Sequence, residues 1–120
     1  MPEISFPPPA AVWSTNDGYR MHHMARARRV KFWRTTARLY AAQLGAQPPS
    51  VVKVTIPFSR RGRRDPMNYV GTVVKAVIDG LVDAELWPDD TPDYVQIVQP
   101  VLEVGELVKI ELSPMAPVDA

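Results

Sequence analysis

Two apolar repeats of different period stand close together in this chain, and together they limit the folds open to it. Over residues 51–58, VVKVTIPF, the residues Val52, Val54, Ile56 and Phe58 alternate with Lys53 and Thr55. A period of two sends alternate side chains to opposite faces, so this segment reads as a strand with one apolar face. Over residues 66–84 the period lengthens. Val70, Val73, Val74, Val77, Ile78 and Leu81 fall on one helical face, with Asn68, Thr72, Lys75 and Asp79 opposite. Asp65 suits an N-cap and Pro66 the first helical position. An apolar strand face beside an apolar helix face calls for helices packed on a sheet.

The remaining segments fit that frame. Ile4 and Phe6 suggest a short edge strand, followed by the extended Pro7-Pro8-Pro9 and a turn-rich loop from Trp13 to Gly18. Residues 28–44 read as a helix with Val30, Trp33, Ala37, Tyr40, Ala41 and Leu44 on one stripe. Gly45 and Pro48-Pro49 end it. Residues 94–104 and 107–112 read as strands, and Gly105-Glu106 suits a two-residue hairpin between them. The expected order is β-α-β-α-β-β. This is an α+β class, with a small mixed or antiparallel sheet packed with two helices in two layers. One domain spans 1–112, with a loose tail over 113–120.

Charge is divided sharply along the chain. Residues 1–64 carry 12 Lys or Arg against two acids, a net +10, whereas residues 65–120 carry two Lys against 11 acids, a net −9. Either the first half meets a polyanion, or the halves interleave and neutralise each other. The chain has no cysteine, which excludes disulfides, thiolate metal sites and a cysteine nucleophile. No apolar run approaches the roughly 20 residues of a membrane span, and the N-terminus lacks a signal-peptide pattern. The expectation is a soluble cytoplasmic protein with no membrane partner.

Candidate chemistry gathers between residues 60 and 90. Arg60, Arg61, Arg63 and Arg64 form a basic loop running into Asp65, Lys75 lies on the polar helix face, and Asp89-Asp90 closes the next loop. Each piece has an ordinary explanation: an N-cap, a solvated lysine, turn aspartates between prolines. Joined, they suit phosphodiester chemistry. Carboxylates are hard ligands for Mg²⁺ or Mn²⁺, and nearby cations neutralise phosphate charge. For the three aspartates to meet, the loop after Trp87 must fold back or a second subunit must intervene. Lys31, Arg34 and Arg38 add a positive flank to the first helix. The neighbours His22 and His23 are poorly spaced to chelate from one helix face.

The stretch Arg63-Arg64-Asp65-Pro66-Met67-Asn68, then Lys75 to Leu81, then Ala84-Glu85-Leu86-Trp87-Pro88-Asp89-Asp90, resembles the core of the RusA family of Holliday-junction resolvases. That family shows a basic run, Asp-x-Asp-Asn, a lysine, Asp-x-Leu and a Trp-x-Asp-Asp loop. Ser14-Thr15-Asn16 with Tyr19-Arg20 is similar to its entry loop. The resemblance covers roughly residues 4–112 and is specific between Asp65 and Asp90.

It implies a RusA-like fold and a homodimeric, Mg²⁺-dependent endonuclease that nicks four-way DNA junctions, leaving 5′-phosphate and 3′-hydroxyl ends. Asp65 and Asp90 match metal aspartates, with Asp89 and Asn68 as further ligands, and Lys75 matches the catalytic lysine. Junction contacts would come from Asn16, Arg20, Lys31, Arg34, Arg38, Arg60, Arg61, Arg63 and Arg64. Two departures stand out. Met67 occupies the second aspartate position, and about four extra residues separate Asn68 from Lys75, close to one helical turn. A thioether is a poor Mg²⁺ ligand. The alternative is therefore a weakened or inactive junction-binding protein of the same fold.

Overall fold

The computed structural model describes residues 2–115. They form a small α+β domain with a mixed sheet and three α-helices, in the order β1 (Glu3–Phe6), α1 (Thr15–Arg20), α2 (His23–Ala41), β2 (Ser50–Phe58), α3 (Lys75–Asp83), β3 (Val95–Ile97), β4 (Val101–Val104) and β5 (Val108–Pro114). β2 is the hub. β5 runs antiparallel along one edge, with β1 antiparallel beyond it, while β3 and β4 lie parallel along the other edge. Val52, Val54 and Ile56 on β2, Ile4 and Phe6 on β1, and Val108, Ile110 and Leu112 on β5 are buried against Trp33, Ala37 and Ala41 of α2 and Val73, Val77 and Leu81 of the segment around α3. On the opposite sheet face Lys53 pairs with Glu111 at 2.8 Å. One apolar and one charged sheet face are consistent with two layers. Among the described residues no helix is long and apolar enough to cross a membrane.

Several local expectations are corrected. The segment expected as a loop from Trp13 to Gly18 holds α1. Ser14 caps it: its hydroxyl accepts from Asp17 N at 3.1 Å, and Asp17 Oδ2 accepts from Ser14 N at 3.0 Å. That reciprocal capping box starts a helix that apolar periodicity does not reveal. α2 begins at His23 rather than near residue 28, because His22 Nδ1 accepts from Met24 N and caps it. Gly45 ends the last turn at φ +67°, as expected of a glycine there.

The 66–84 helix is not uniform. A 3₁₀ turn (Pro66–Tyr69) and a π turn (Val70–Val74) precede α3, and Lys75 N bonds to both Thr72 O and Val70 O. Thr72, expected on the polar face, is buried, and its hydroxyl donates to Trp13 O at 2.7 Å. The wider turn rotates Thr72 under the chain that leads into α1, which a uniform 3.6-residue repeat does not foresee.

The expected 94–104 strand is broken into β3 and β4 ahead of Pro100, which has no N–H to give a ladder. The Gly105-Glu106 hairpin does not form. β4 and β5 flank β2 instead of each other, and Gly105 N donates to Phe58 O as the chain rounds the end of β2. Long-range pairing with the central strand displaces the local turn. β5 also runs on through Ser113 and Pro114, residues assigned above to the tail; 116–120 lie outside the described residues.

Gly80 sets the helix spacing. A Cβ there would lie 2.4 Å from Arg34 O and 2.8 Å from Ala37 Cβ. α3 can approach α2 this closely only because that atom is missing.

Candidate functional site

The turn after α3 decides where Asp89 and Asp90 go. Glu85 adopts φ +64°, and Leu86 N reaches back to Leu81 O. This is a left-handed helix stop with a non-glycine residue in the glycine position. Leu86 and Trp87 are then buried, Leu86 O accepts from Gln47 N at 2.7 Å, and Trp87 Nε1 donates to Pro48 O at 3.0 Å. These two anchors turn the chain back along α3, which brings Asp89 and Asp90 to the start of that helix but not to Asp65.

Lys75, the first residue of α3, receives it. Its Nζ lies 2.8 Å from Asp79 Oδ1, one turn on, and 3.2 Å from Asp90 Oδ2. Asp89 Oδ1 accepts from Asp90 N at 2.7 Å and so orients the loop. The two carboxylates, Asp79 first, hold the Lys75 ammonium above the usual lysine range. Lys75 in turn, with the Asp89 hydrogen bond, holds the Asp90 carboxyl below the usual carboxylate range. The group is open to solvent, with the Lys75 and Asp90 side chains 54% and 40% exposed, so the contact is a poised surface pair rather than a buried ion pair.

The pair belongs to a longer charge ladder. Arg34 on α2 grips Asp83 through Nε and, at 2.8 Å, a terminal nitrogen, and its Nη1 lies 4.0 Å from Asp79. Arg34 keeps Asp83 below the usual carboxylate range. This occupies the guanidinium assigned above to DNA, whereas Lys31 and Arg38 on the same helix are exposed. Asp79 and Asp83 were not among the expected site residues. Their signal was the repeat of four from Lys75, which places all three on one helix face.

Asp65 sits elsewhere. It caps the 3₁₀ turn, its Oδ1 accepting from Met67 N at 3.0 Å. Nine residues of helical chain lie between it and Lys75, an axial run of roughly 15 Å over ten steps. Met67 beside it is 60% exposed. Asn68 is half-buried, and its carbonyl accepts from Thr15 Oγ1 at 3.1 Å, which docks α1 and its exposed Asn16 and Arg20 beside this end. The structure thus unites Lys75, Asp79, Asp89 and Asp90 at one place and Asp65, Asn68 and α1 at another. Among the described residues no three His, Asp or Glu side chains gather as a cation site.

Of the arginine loop, Arg60, Arg61 and Arg63 are exposed. Arg64 stacks 3.9 Å over the Phe58 ring and donates to Arg60 O, which braces the loop. The loop faces β4 across an open cleft of about 780 Å³. Of the 12 basic residues in 1–64, only Arg34 and Lys53 make ion pairs among the described residues, so the two halves do not neutralise each other residue by residue.

The chain matches no protein-family model and no curated protein.

Proposed function

We propose that this chain is a structure-selective endodeoxyribonuclease of the RusA type, acting as a homodimer on four-way junctions and related branched DNA in recombination, repair or phage DNA processing. One observation carries the reading: Asp90, on a loop returned by the Leu86-Trp87 anchors, lies against Lys75. The family pattern needs its loop aspartate and its lysine to converge. The unpaired cations of the first half support the choice of partner, since a phosphate backbone is neutralised by such residues without sequence preference. In this reading Arg60, Arg61 and Arg63 hold phosphates, and the Lys75 ammonium offsets charge that develops on the cleaved group.

The resemblance also implies Mg²⁺ or Mn²⁺. Carboxylates are the right chemistry for such ions. Among the described residues the acids of one chain do not gather into a cation site, and Asp65 serves as an N-cap apart from Asp89 and Asp90. No step is therefore assigned to an ion, and the metal requirement becomes an experimental question.

An end-labelled four-way junction incubated with Mg²⁺ or Mn²⁺ tests the proposal. The wild type should nick it, and Asp90→Asn should abolish nicking while junction binding persists; Asp65→Asn, which keeps the cap, abolishes nicking only if Asp65 joins the site across a homodimer interface. A variant that cuts at the wild-type rate refutes its assignment.

Met67 favours a second reading, junction binding without cleavage. It exposes a soft thioether at the position where the resemblance requires a carboxylate. Binding with no cleavage under either metal, and cleavage gained in Met67→Asp, would establish that reading.

A further inference from the structure

We propose that the cleft between α1 and α2 takes an unpaired nucleobase of single-stranded DNA; this rests on the reading above for the partner being nucleic acid. The cleft encloses about 570 Å³, within the range of small-molecule pockets. Tyr19 stands on its rim with 79% of its surface exposed. His23, also lining it, stacks on His22 with ring centroids 4.4 Å apart. Two flat π-systems therefore border one opening.

Arg26 is the cation of the lining. Its Nη1 donates to Gly18 O at 3.0 Å, which fixes the guanidinium stem against α1. No carboxylate lines the cleft. Asp17, the one acid of α1, is turned back onto Ser14 N. The far wall includes Gly71 of the π turn, where a Cβ would meet nothing within 4 Å.

Exposed aromatic faces beside cations, with no acid to repel phosphate, are the combination that stacks bases of a single strand. A base-paired duplex offers no free base face to such a rim. A branch point, where the stack of base pairs is interrupted, does. The cleft would thus add selection for unpaired DNA to the sequence-neutral grip of the arginines.

The test uses the full chain and an oligothymidylate of roughly 15 nucleotides carrying one 2-aminopurine, beside a blunt duplex in the same salt. The wild type should bind the single strand and quench the 2-aminopurine fluorescence by stacking. Tyr19→Ala should weaken that binding about tenfold and remove the quenching, while Tyr19→Phe keeps both. Gly71→Phe, which fills open space, should lose binding as Tyr19→Ala does. Duplex affinity should move less than about twofold in each variant. Unchanged quenching in Tyr19→Ala, or equal loss in Tyr19→Phe, overturns the stacking site. Wild-type duplex binding without quenching overturns this inference alone; binding to neither DNA overturns the nucleic-acid reading as well.

Discussion

Gly80 and Gly71 lie nine positions apart, and alanine should act in opposite directions at the two. In an open helical position Gly→Ala gains roughly 0.5–1 kcal/mol, because glycine loses more backbone freedom on folding. Gly71 has open space around it, so Gly71→Ala should realise that gain. At Gly80 the new methyl would stand 2.4 Å from Arg34 O, 2.8 Å from Ala37 Cβ and 3.1 Å from Arg38 N. Favourable contact needs about 3.5–4 Å, so α2 and α3 must part by about 1 Å. Two of the three atoms are main chain and cannot swing aside. Overpacking of this kind costs about 1–3 kcal/mol; with main-chain atoms as close as 2.4 Å the cost falls in the upper part of that range, outweighs the helical gain and leaves Gly80→Ala less stable by up to about 2.5 kcal/mol. Urea unfolding followed by far-UV circular dichroism reads this as a lower midpoint at unchanged slope. A Gly80→Ala midpoint equal to or above wild type would refute the close approach of α2 and α3, and with it the route by which Arg34 reaches Asp83 and Asp79.

Further predictions follow from the charged groups. Asp90 has a lowered folded pKa, so its contribution to stability is present above the ordinary carboxylate value of about 3.9 and is lost as pH falls through the lowered value. Lys75 has a raised folded pKa, so its contribution is present below about 10.4 and is lost as pH rises through the raised value. Protection of the 88–91 loop amides, taken relative to the intrinsic exchange rate at each pH, should therefore be highest between those limits and fall beyond either; protection that stays flat across the acid limb would contradict the Lys75–Asp90 contact. Ser14→Ala should cost about 1 kcal/mol of stability; the Asp17 carboxyl, held low first by the Ser14 backbone N–H, which alanine keeps, and second by the Ser14 side chain, should rise only part of the way toward its ordinary range, as carbon-detected titration would record. Each of Arg60→Ala, Arg61→Ala and Arg63→Ala should reduce the slope of log affinity against log salt for DNA by about 1; unchanged slopes would remove the loop from the interface.

Much of this molecule can be read from its residues in order. The alternation at 52, 54 and 56 gives the central strand, the run from Val73 to Leu81 gives the buried helix face, and Asp65-Pro66 gives the helix start. These are local rules of period and capping, which act over a few residues. α1 was legible too, since Ser14 and Asp17 stand at capping-box spacing; reading for apolar period alone passes over it. The π turn at Val70–Val74 has no such signature, and it decides that Thr72 is buried while Lys75 faces Asp90.

The candidate site divides in the same way. Residue types exclude cysteine chemistry, and the order of charges along the chain gives a basic half suited to a polyanion. Tertiary structure decides which of these groups meet. Asp90 reaches Lys75 because Leu86 and Trp87 bury themselves beside Gln47 and Pro48, and Arg34 turns to Asp83 because Gly80 admits α2. The same contacts leave Asp65 at the other end of the helical segment. Burial of a few large side chains fixes the path of the loops, and no period within a loop encodes that path.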